Sequence, residues 1–164
     1  MKIIAFVGHS KSGKTQLIAR LVPELKKRGL IAAVIKHCSH GFDLGGEDKD
    51  SSRFLTAGAD GVALAAPGRT AVLRNSDRER DLESLAREEF ASADIVLVEG
   101  GKSDARLRKV EVLREGFSEG VMTPCRELDA VVADYPAACA VPVFHPDKVK
   151  EIADWLARDL AIGK

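Results

Sequence analysis

The chain has 164 residues, 45% of them apolar and 30% charged, which is one domain's worth of ordinary folded protein and excludes a disordered chain. Lys and Arg number 25, Asp and Glu also 25, so the formal net charge is zero and the basic excess of a general nucleic-acid binder is absent. No apolar run approaches the roughly 18 residues of a membrane helix, and the three cysteines (Cys38, Cys125, Cys139) are odd in number, far apart and without a C-x-x-C pair. That pattern predicts reduced thiols, no disulfide framework and a cytoplasmic location.

Met1-Lys2 leads directly into Ile3–Val7, five apolar residues with neither the length nor the cleavage site of a signal peptide, so a buried strand is expected. Thr15–Arg28 carries Leu17, Ile18, Leu21, Val22 and Leu25 at helical spacing, with Pro23 predicting a kink near Arg20–Val22 and Gly29 a stop. Ile31–Ile35 reads as a second strand, His37–Lys49 as a polar, glycine-containing mobile loop, and Asp50–Ala57 as a short helix. Gly61–Ala66 and Thr70–Arg74, joined by Pro67-Gly68, read as a hairpin. Asp81–Phe90 is a helix, Asp94–Glu99 an apolar strand ending in an acid, and Lys109–Leu113 another strand. Glu115–Arg126 shows no period. Ala130–Ala133 and Val141–Phe144 are strands, and Asp147–Leu160 is the closing helix. Continuous apolar strands alternating with helices predict an α/β domain over residues 1–164: a mostly parallel sheet covered on both faces, with the hairpin as an antiparallel edge.

Gly8-His9-Ser10-Lys11-Ser12-Gly13-Lys14-Thr15 fits G-x-x-x-x-G-K-[ST] in full, with Gln16 continuing into the helix. A strand precedes it and a helix follows, the context in which the motif wraps a phosphate chain with its backbone amides. Lys14 is placed to reach the β- and γ-phosphates and Thr15 to ligate Mg²⁺. The acid that serves such a metal is expected at the end of another buried strand. Ligands of open parallel sheets gather at the carboxyl ends of strands, which favours Glu99. Asp94 stands on the order of 16 Å away at the strand's start and reads as a cap. The alternative for Glu99 is a surface acid before a glycine turn.

Lys36-His37-Cys38-Ser39-His40 follows the second strand at the same carboxyl end. The two histidines have the spacing of a metal pair, but no second ligand pair accompanies them, so contacts to a bound substrate or plain solvation are the better readings. Glu47 to Arg53 is a dense charge cluster. Asp50 or Ser51 suits a helix cap, and Lys49 and Arg53 suit a second phosphate.

These pieces together resemble one family, the MobB proteins of molybdenum cofactor biosynthesis. The resemblance is carried by Gly8–Thr15, Val34-Ile35-Lys36-His37, Asp48-Lys49-Asp50-Ser51 with Arg53, Ala57-Gly58-Ala59, Ile95–Gly100, Lys109-Val110-Glu111-Val112, Val131–Asp134, and Pro142-Val143-Phe144 ahead of Ile152-Ala153-Asp154. It implies a dimeric GTP-binding protein of the three-layer P-loop NTPase fold with weak GTPase activity. Its partner would be the guanylyltransferase MobA, with molybdopterin or its guanine dinucleotide as a possible ligand. Carried over by position, Gly8–Thr15 and Gln16 would hold the triphosphate, Lys14 and Glu99 would serve hydrolysis, and Thr15 and Glu99 would serve Mg²⁺. Lys36, His37, Asp50, Ser51 and Arg53 would line the adjoining pocket, and Asp134 would meet the base. Two positions depart from the family pattern: Asp48 where glycine is usual, and Gly101 where an aromatic is common.

Three functions stay open: the adaptor GTPase that the resemblance implies, a small-molecule kinase or ligase of the P-loop class, and a non-catalytic nucleotide-dependent interaction module. A kinase of this size needs arginines over the phosphates, for which Arg78, Arg80, Arg106 and Arg108 stand as candidates.

Overall fold

The first strand, β1 (Lys2–Val7), lies at the centre of a six-stranded sheet. The others are β2 (Ala32–Lys36), β5 (Ile95–Glu99), β6 (Arg108–Leu113), β7 (Ala130–Ala133) and β8 (Val143–Phe144). Their order is β2-β5-β1-β6-β7-β8, and every neighbouring pair is parallel. The computed structural model describes residues 1–39, 41–42, 50–76 and 80–158. The charge cluster at Glu47–Lys49, the departure at Asp48, and His40 and Arg78 lie outside the described residues.

Alternation within the strands sorts side chains onto two faces. Ile4, Phe6, Ile95, Leu97, Val110, Val112 and Val132 point to one face, where α1 (Lys14–Lys27) and α4 (Val149–Ala157) cover them. From α1 come Leu17, Ile18, Leu21 and Leu25, all within the expected apolar stripe and all buried. Truncating Leu21 or Leu25 to alanine removes contacts worth about 2–5 kcal/mol. Pro23 sits inside α1, which continues to Lys27. The Gly29 amide bonds to the Lys26 carbonyl at 3.0 Å and the Leu30 amide to the Leu25 carbonyl at 3.3 Å. These are the paired bonds that satisfy a helix's last carbonyls. At the far end of α4, the Lys2 ammonium donates to the Leu156 carbonyl at 3.0 Å and lies 5.7 Å from the Trp155 ring centre.

The opposite face has two covers. Ala5, Val7, Ile35, Val96 and Val98 pack under α3 (Leu82–Glu89) through Leu82 and Ala86. Leu113, Val131 and Ala133 instead pack under irregular chain, through Leu128, Val121, Tyr135, Cys139 and Val141. The stretch without a period, Glu115–Arg126, is therefore the crossover between β6 and β7. It contains no α-helix, only a 3-10 turn at Cys125–Glu127 near its end. Glu111, fully buried on β6, anchors it: its two carboxylate oxygens accept the Met122 and Thr123 amides, each at 2.9 Å.

Two expectations are corrected. The hairpin forms, as β3 (Gly61–Ala66) and β4 (Arg69–Arg74), but as a two-stranded sheet of its own rather than the edge of the six-stranded one. It belongs to a second compact unit, Cys38–Asp81, with α2 (Asp50–Thr56). The first unit comprises Met1–His37 and Leu82–Lys164. Cys125 and Cys139 are joined by a disulfide, with Cα atoms 6.0 Å apart, and Cys38 stands outside that bond. The pair stands 14 positions apart in sequence, and the two cysteines meet because β7 lies between them, a proximity that sequence spacing does not show.

Candidate functional site

The turn between β1 and α1 is built by two glycines with different jobs. Gly8 passes so close to β6 that a side chain there would strike the Val112 carbonyl oxygen. Gly13 has open space around its α-carbon but a φ of 92°, a left-handed conformation that glycine adopts without steric cost. Lys11 also lies in that region, at φ 64°, so the loop carries one strained non-glycine residue. The amide of Ser12 bonds to the His9 carbonyl at 3.3 Å, and Ser12 is buried.

Lys14 folds back over the turn. Its ammonium donates to the carbonyl oxygens of Gly8 at 3.0 Å and His9 at 2.5 Å, and to Ser12 Oγ at 3.3 Å. Partial burial lowers its pKa from the usual 10.5, and the charge of Glu99 opposes that shift. The Thr15 hydroxyl donates to Glu99 Oε1 at 2.8 Å. Glu99 ends β5, and parallel pairing aligns Phe6 of β1 with Glu99, which brings the acid beside the turn that follows β1. On the other side of β5, the ladder with β2 pairs Lys36 with Glu99, and the His37 amide bonds to the Glu99 carbonyl at 2.9 Å. Three strand ends thus converge at one edge of the sheet. A hydroxyl and a carboxylate oxygen at hydrogen-bond distance form a hard oxygen donor set, and this set fits a magnesium ion.

Beside the turn lies a cavity of about 180 Å³, walled by Ser12, Gly13, Gln16, Arg20, Arg114, Asp134 and Asp147 among others. Asp134 follows β7, and its Oδ1 accepts the Glu115 amide at 2.8 Å. Arg20 and Asp147 of this lining pair with each other at 3.4 Å.

The structure thus brings together Gly8 through Gln16, Lys36, His37, Glu99 and Asp134 at the carboxyl ends of the strands. Asp50, Ser51 and Arg53 belong to the other unit, on the first turns of α2, with Asp50 and Arg53 exposed. Asp94 is structural: its carboxylate accepts the Ile31 amide at 2.8 Å. Arg106 and Arg108 are not placed over the turn. They flank a groove at the opposite end of the sheet with Lys2 and Arg87, paired to Asp104 and Asp129. The sequence reading missed Arg20, Arg114 and Asp147. Arg114 is the first residue past a strand's carboxyl end and Arg20 lies one turn beyond Gln16, which were the available signals.

A central parallel strand, a glycine turn and a following helix, flanked by an acid on the neighbouring strand, define a protein of the P-loop NTPase fold. The family model for molybdopterin guanine dinucleotide synthesis protein B, MobB, matches residues 3–134. The chain belongs to the MobB family. It is 32% identical over 159 residues to the molybdopterin-guanine dinucleotide biosynthesis adapter protein of Haemophilus influenzae, covering 94% of this chain and 86% of that one. It is 31% identical to the Escherichia coli K12 protein of the same description, covering 94% and 90%. Among solved structures, a crystal structure of molybdopterin-guanine biosynthesis protein B superposes with a TM-score of 0.74 at 27% identity, covering 95% of this chain and 98% of that one. Bacillus subtilis MobB gives a TM-score of 0.70 at 25% identity with both chains fully covered.

Proposed function

We propose that this chain is a GTP-binding adapter in molybdopterin-guanine dinucleotide biosynthesis, with slow magnesium-dependent GTP hydrolysis, acting beside a MobA-like guanylyltransferase. The observation that carries the nucleotide reading is the Thr15–Glu99 hydrogen bond of 2.8 Å, which joins the turn after β1 to the acid ending β5. The adapter role rests on the relatives, which are described as adapter proteins.

Under this reading the amides of Gly8–Thr15 and the α1 N-terminus hold the phosphate chain. Lys14 exchanges its hold on the Gly8 and His9 carbonyls for phosphate oxygens. Thr15 and Glu99 hold Mg²⁺, which supplies charge neutralisation at the phosphates. The base sits in the cavity beside Gln16, with Asp134 as an acceptor for its ring N–H groups. Lys36 and His37 stand next to Glu99 at the same strand ends. The position of Arg106 and Arg108 at the other end of the sheet leaves the kinase reading without its arginine lid from that segment.

Homodimerisation is part of the proposal. The hairpin exposes Leu64 at 48% and Val72 at 54%, and these fall on opposite faces of β3–β4. Apolar exposure on both sides of a two-stranded sheet favours a covering partner, and a second copy supplies one.

Calorimetric titration of GTP and ATP with and without Mg²⁺ tests the nucleotide reading. GTP is expected to bind in preference to ATP, more tightly with magnesium. Absence of binding by both nucleotides overturns it. Capture of a molybdopterin guanylyltransferase by the immobilised chain tests the adapter role. Phosphate release from GTP without any acceptor separates an adapter from a kinase.

A further inference from the structure

We propose that Cys125 and Cys139 form a reversible redox site, whose paired state clamps the β6–β7 crossover onto the chain leaving β7. The pairing closes a ring around β7: Cys125 opens the 3-10 turn ahead of the strand, and Cys139 lies in the segment after it. Both cysteines are only half-buried, so small thiols and disulfides reach them. Cys139 packs at the margin of the cluster of Leu113, Leu128 and Val131 that the crossover covers.

Hydrogen bonds and the packing of Val121 and Leu128 hold the same segment without a covalent tie. The Glu115 amide is tied to Asp134 at 2.8 Å. The Tyr135 hydroxyl donates to the Ser118 carbonyl at 3.2 Å and accepts the Gly120 amide at 3.1 Å. A crossover that spans Arg114 to Asp129 without an α-helix has few backbone bonds of its own, so a covalent tie at its end restricts it strongly. Accessible disulfides are the labile, regulatory ones, and a partly buried pair that clamps an irregular segment fits that use.

The chemistry balances with a low-molecular-weight disulfide as oxidant. One cysteine thiolate attacks a sulfur of that disulfide, forming a mixed disulfide and expelling one thiolate. The second cysteine thiolate then attacks the protein-side sulfur of the mixed disulfide and expels the other thiolate. Two electrons pass from the cysteine pair to the small disulfide, and the two cysteine protons end on the two small thiols. An added dithiol reverses the exchange.

Arg114 and Asp134 wall the cavity beside the glycine turn, so loosening the crossover bears on that wall. This consequence rests on the nucleotide reading above; the redox site does not.

The test uses the full chain equilibrated in graded mixtures of reduced and oxidised glutathione, followed by alkylation, peptide mapping and hydrogen exchange. Cys125 and Cys139 are expected to lose alkylation together as the mixture becomes oxidising, and to regain it with dithiothreitol. Amides of Glu115–Leu128 are expected to exchange on the order of tenfold faster in the reduced protein. The C125S/C139S protein should exchange like the reduced protein in every mixture. If that variant fails to fold, the wild type in its two states gives the same comparison. The proposal is overturned if all three cysteines alkylate at every ratio, if Cys38 takes the place of either partner, or if exchange is equal in both states. GTP affinity measured alongside separates the two readings. Redox-dependent exchange with no GTP binding in either state keeps the redox site and rejects the nucleotide reading. Redox-dependent exchange with equal GTP affinity in both states keeps the clamp and rejects its coupling to the cavity.

Discussion

Thr15 and Glu99 are 84 residues apart in sequence, and the hydroxyl of one donates to the carboxylate of the other at 2.8 Å. Parallel pairing of β1 with β5 makes that meeting possible, because Phe6 and Glu99 share a rung of the ladder. If this pair holds the metal, Glu99→Gln should lower the rate of Mg²⁺-dependent GTP hydrolysis by more than about tenfold while GTP affinity falls less. Parallel measurement of binding and turnover checks it. A variant that loses its fold instead marks Glu99 as structural.

Lys14 ties the turn together through the Gly8 and His9 carbonyls. Lys14→Ala should weaken triphosphate binding by more than about tenfold, at least roughly 1.4 kcal/mol, with the circular dichroism spectrum unchanged. Unchanged affinity would remove the phosphate role of this lysine.

The burial that lowers the Lys14 pKa from 10.5 also gives a pH dependence. An anionic ligand raises the pKa again, so binding takes up a proton once the free side chain has lost its own. GTP affinity should therefore be full below the lowered pKa and should decline on the alkaline side before pH reaches 10.5. Folding stability moves the other way in that window: the charged form is the penalised one, so raising the pH from the lowered value toward 10.5 relieves the penalty. Lys14→Arg should flatten the alkaline loss of affinity. Titrations between neutral pH and the alkaline limit of folding check both signs.

Lys11 sits at φ 64°. Left-handed backbone costs a non-glycine residue about 1–2 kcal/mol, against roughly 0.5–1 kcal/mol for the extra unfolded-state freedom of glycine. Lys11→Gly should leave stability level or slightly raised, and Lys11→Val should lower it by about 1 kcal/mol or more. Denaturant unfolding of the two variants decides it. The opposite order would show that the Lys11 side chain itself stabilises the turn.

Glu111 has no exposure to solvent and holds two backbone amides of the crossover. Glu111→Gln puts an NH₂ group against one of those amides, and should cost about 1–3 kcal/mol. Faster hydrogen exchange at Met122 and Thr123 should accompany the loss. Stability equal to wild type would mean that the crossover is held elsewhere.

The legible parts of this chain were those with a period or a motif. The stripe of Leu17, Ile18, Leu21 and Leu25 announced α1, and all four are buried. The turn Gly8–Thr15 could be read because strand, glycines, lysine and helix are contiguous. Glu99 was legible by a weaker route: an acid at the end of an apolar strand, at the end of the sheet where ligands collect. The crossover from Arg114 to Asp129 gave no signal, because it is ordered by the Glu111 carboxylate, the Tyr135 hydroxyl and side-chain packing rather than by a repeating backbone pattern. Arg20 and Asp147 were invisible as a pair for the same reason, standing 127 residues apart.

By itself the amino-acid order determined the strands, the helices and the glycine turn after β1, since each depends on neighbours within a few residues. Which strand lies beside which was settled only in three dimensions. That decision put Glu99 against Thr15, joined Cys125 to Cys139 around β7, and set the hairpin in a sheet of its own. Pairing between distant strands is chosen by the fit of whole faces and by backbone hydrogen bonds that every residue offers alike, so no local pattern specifies it.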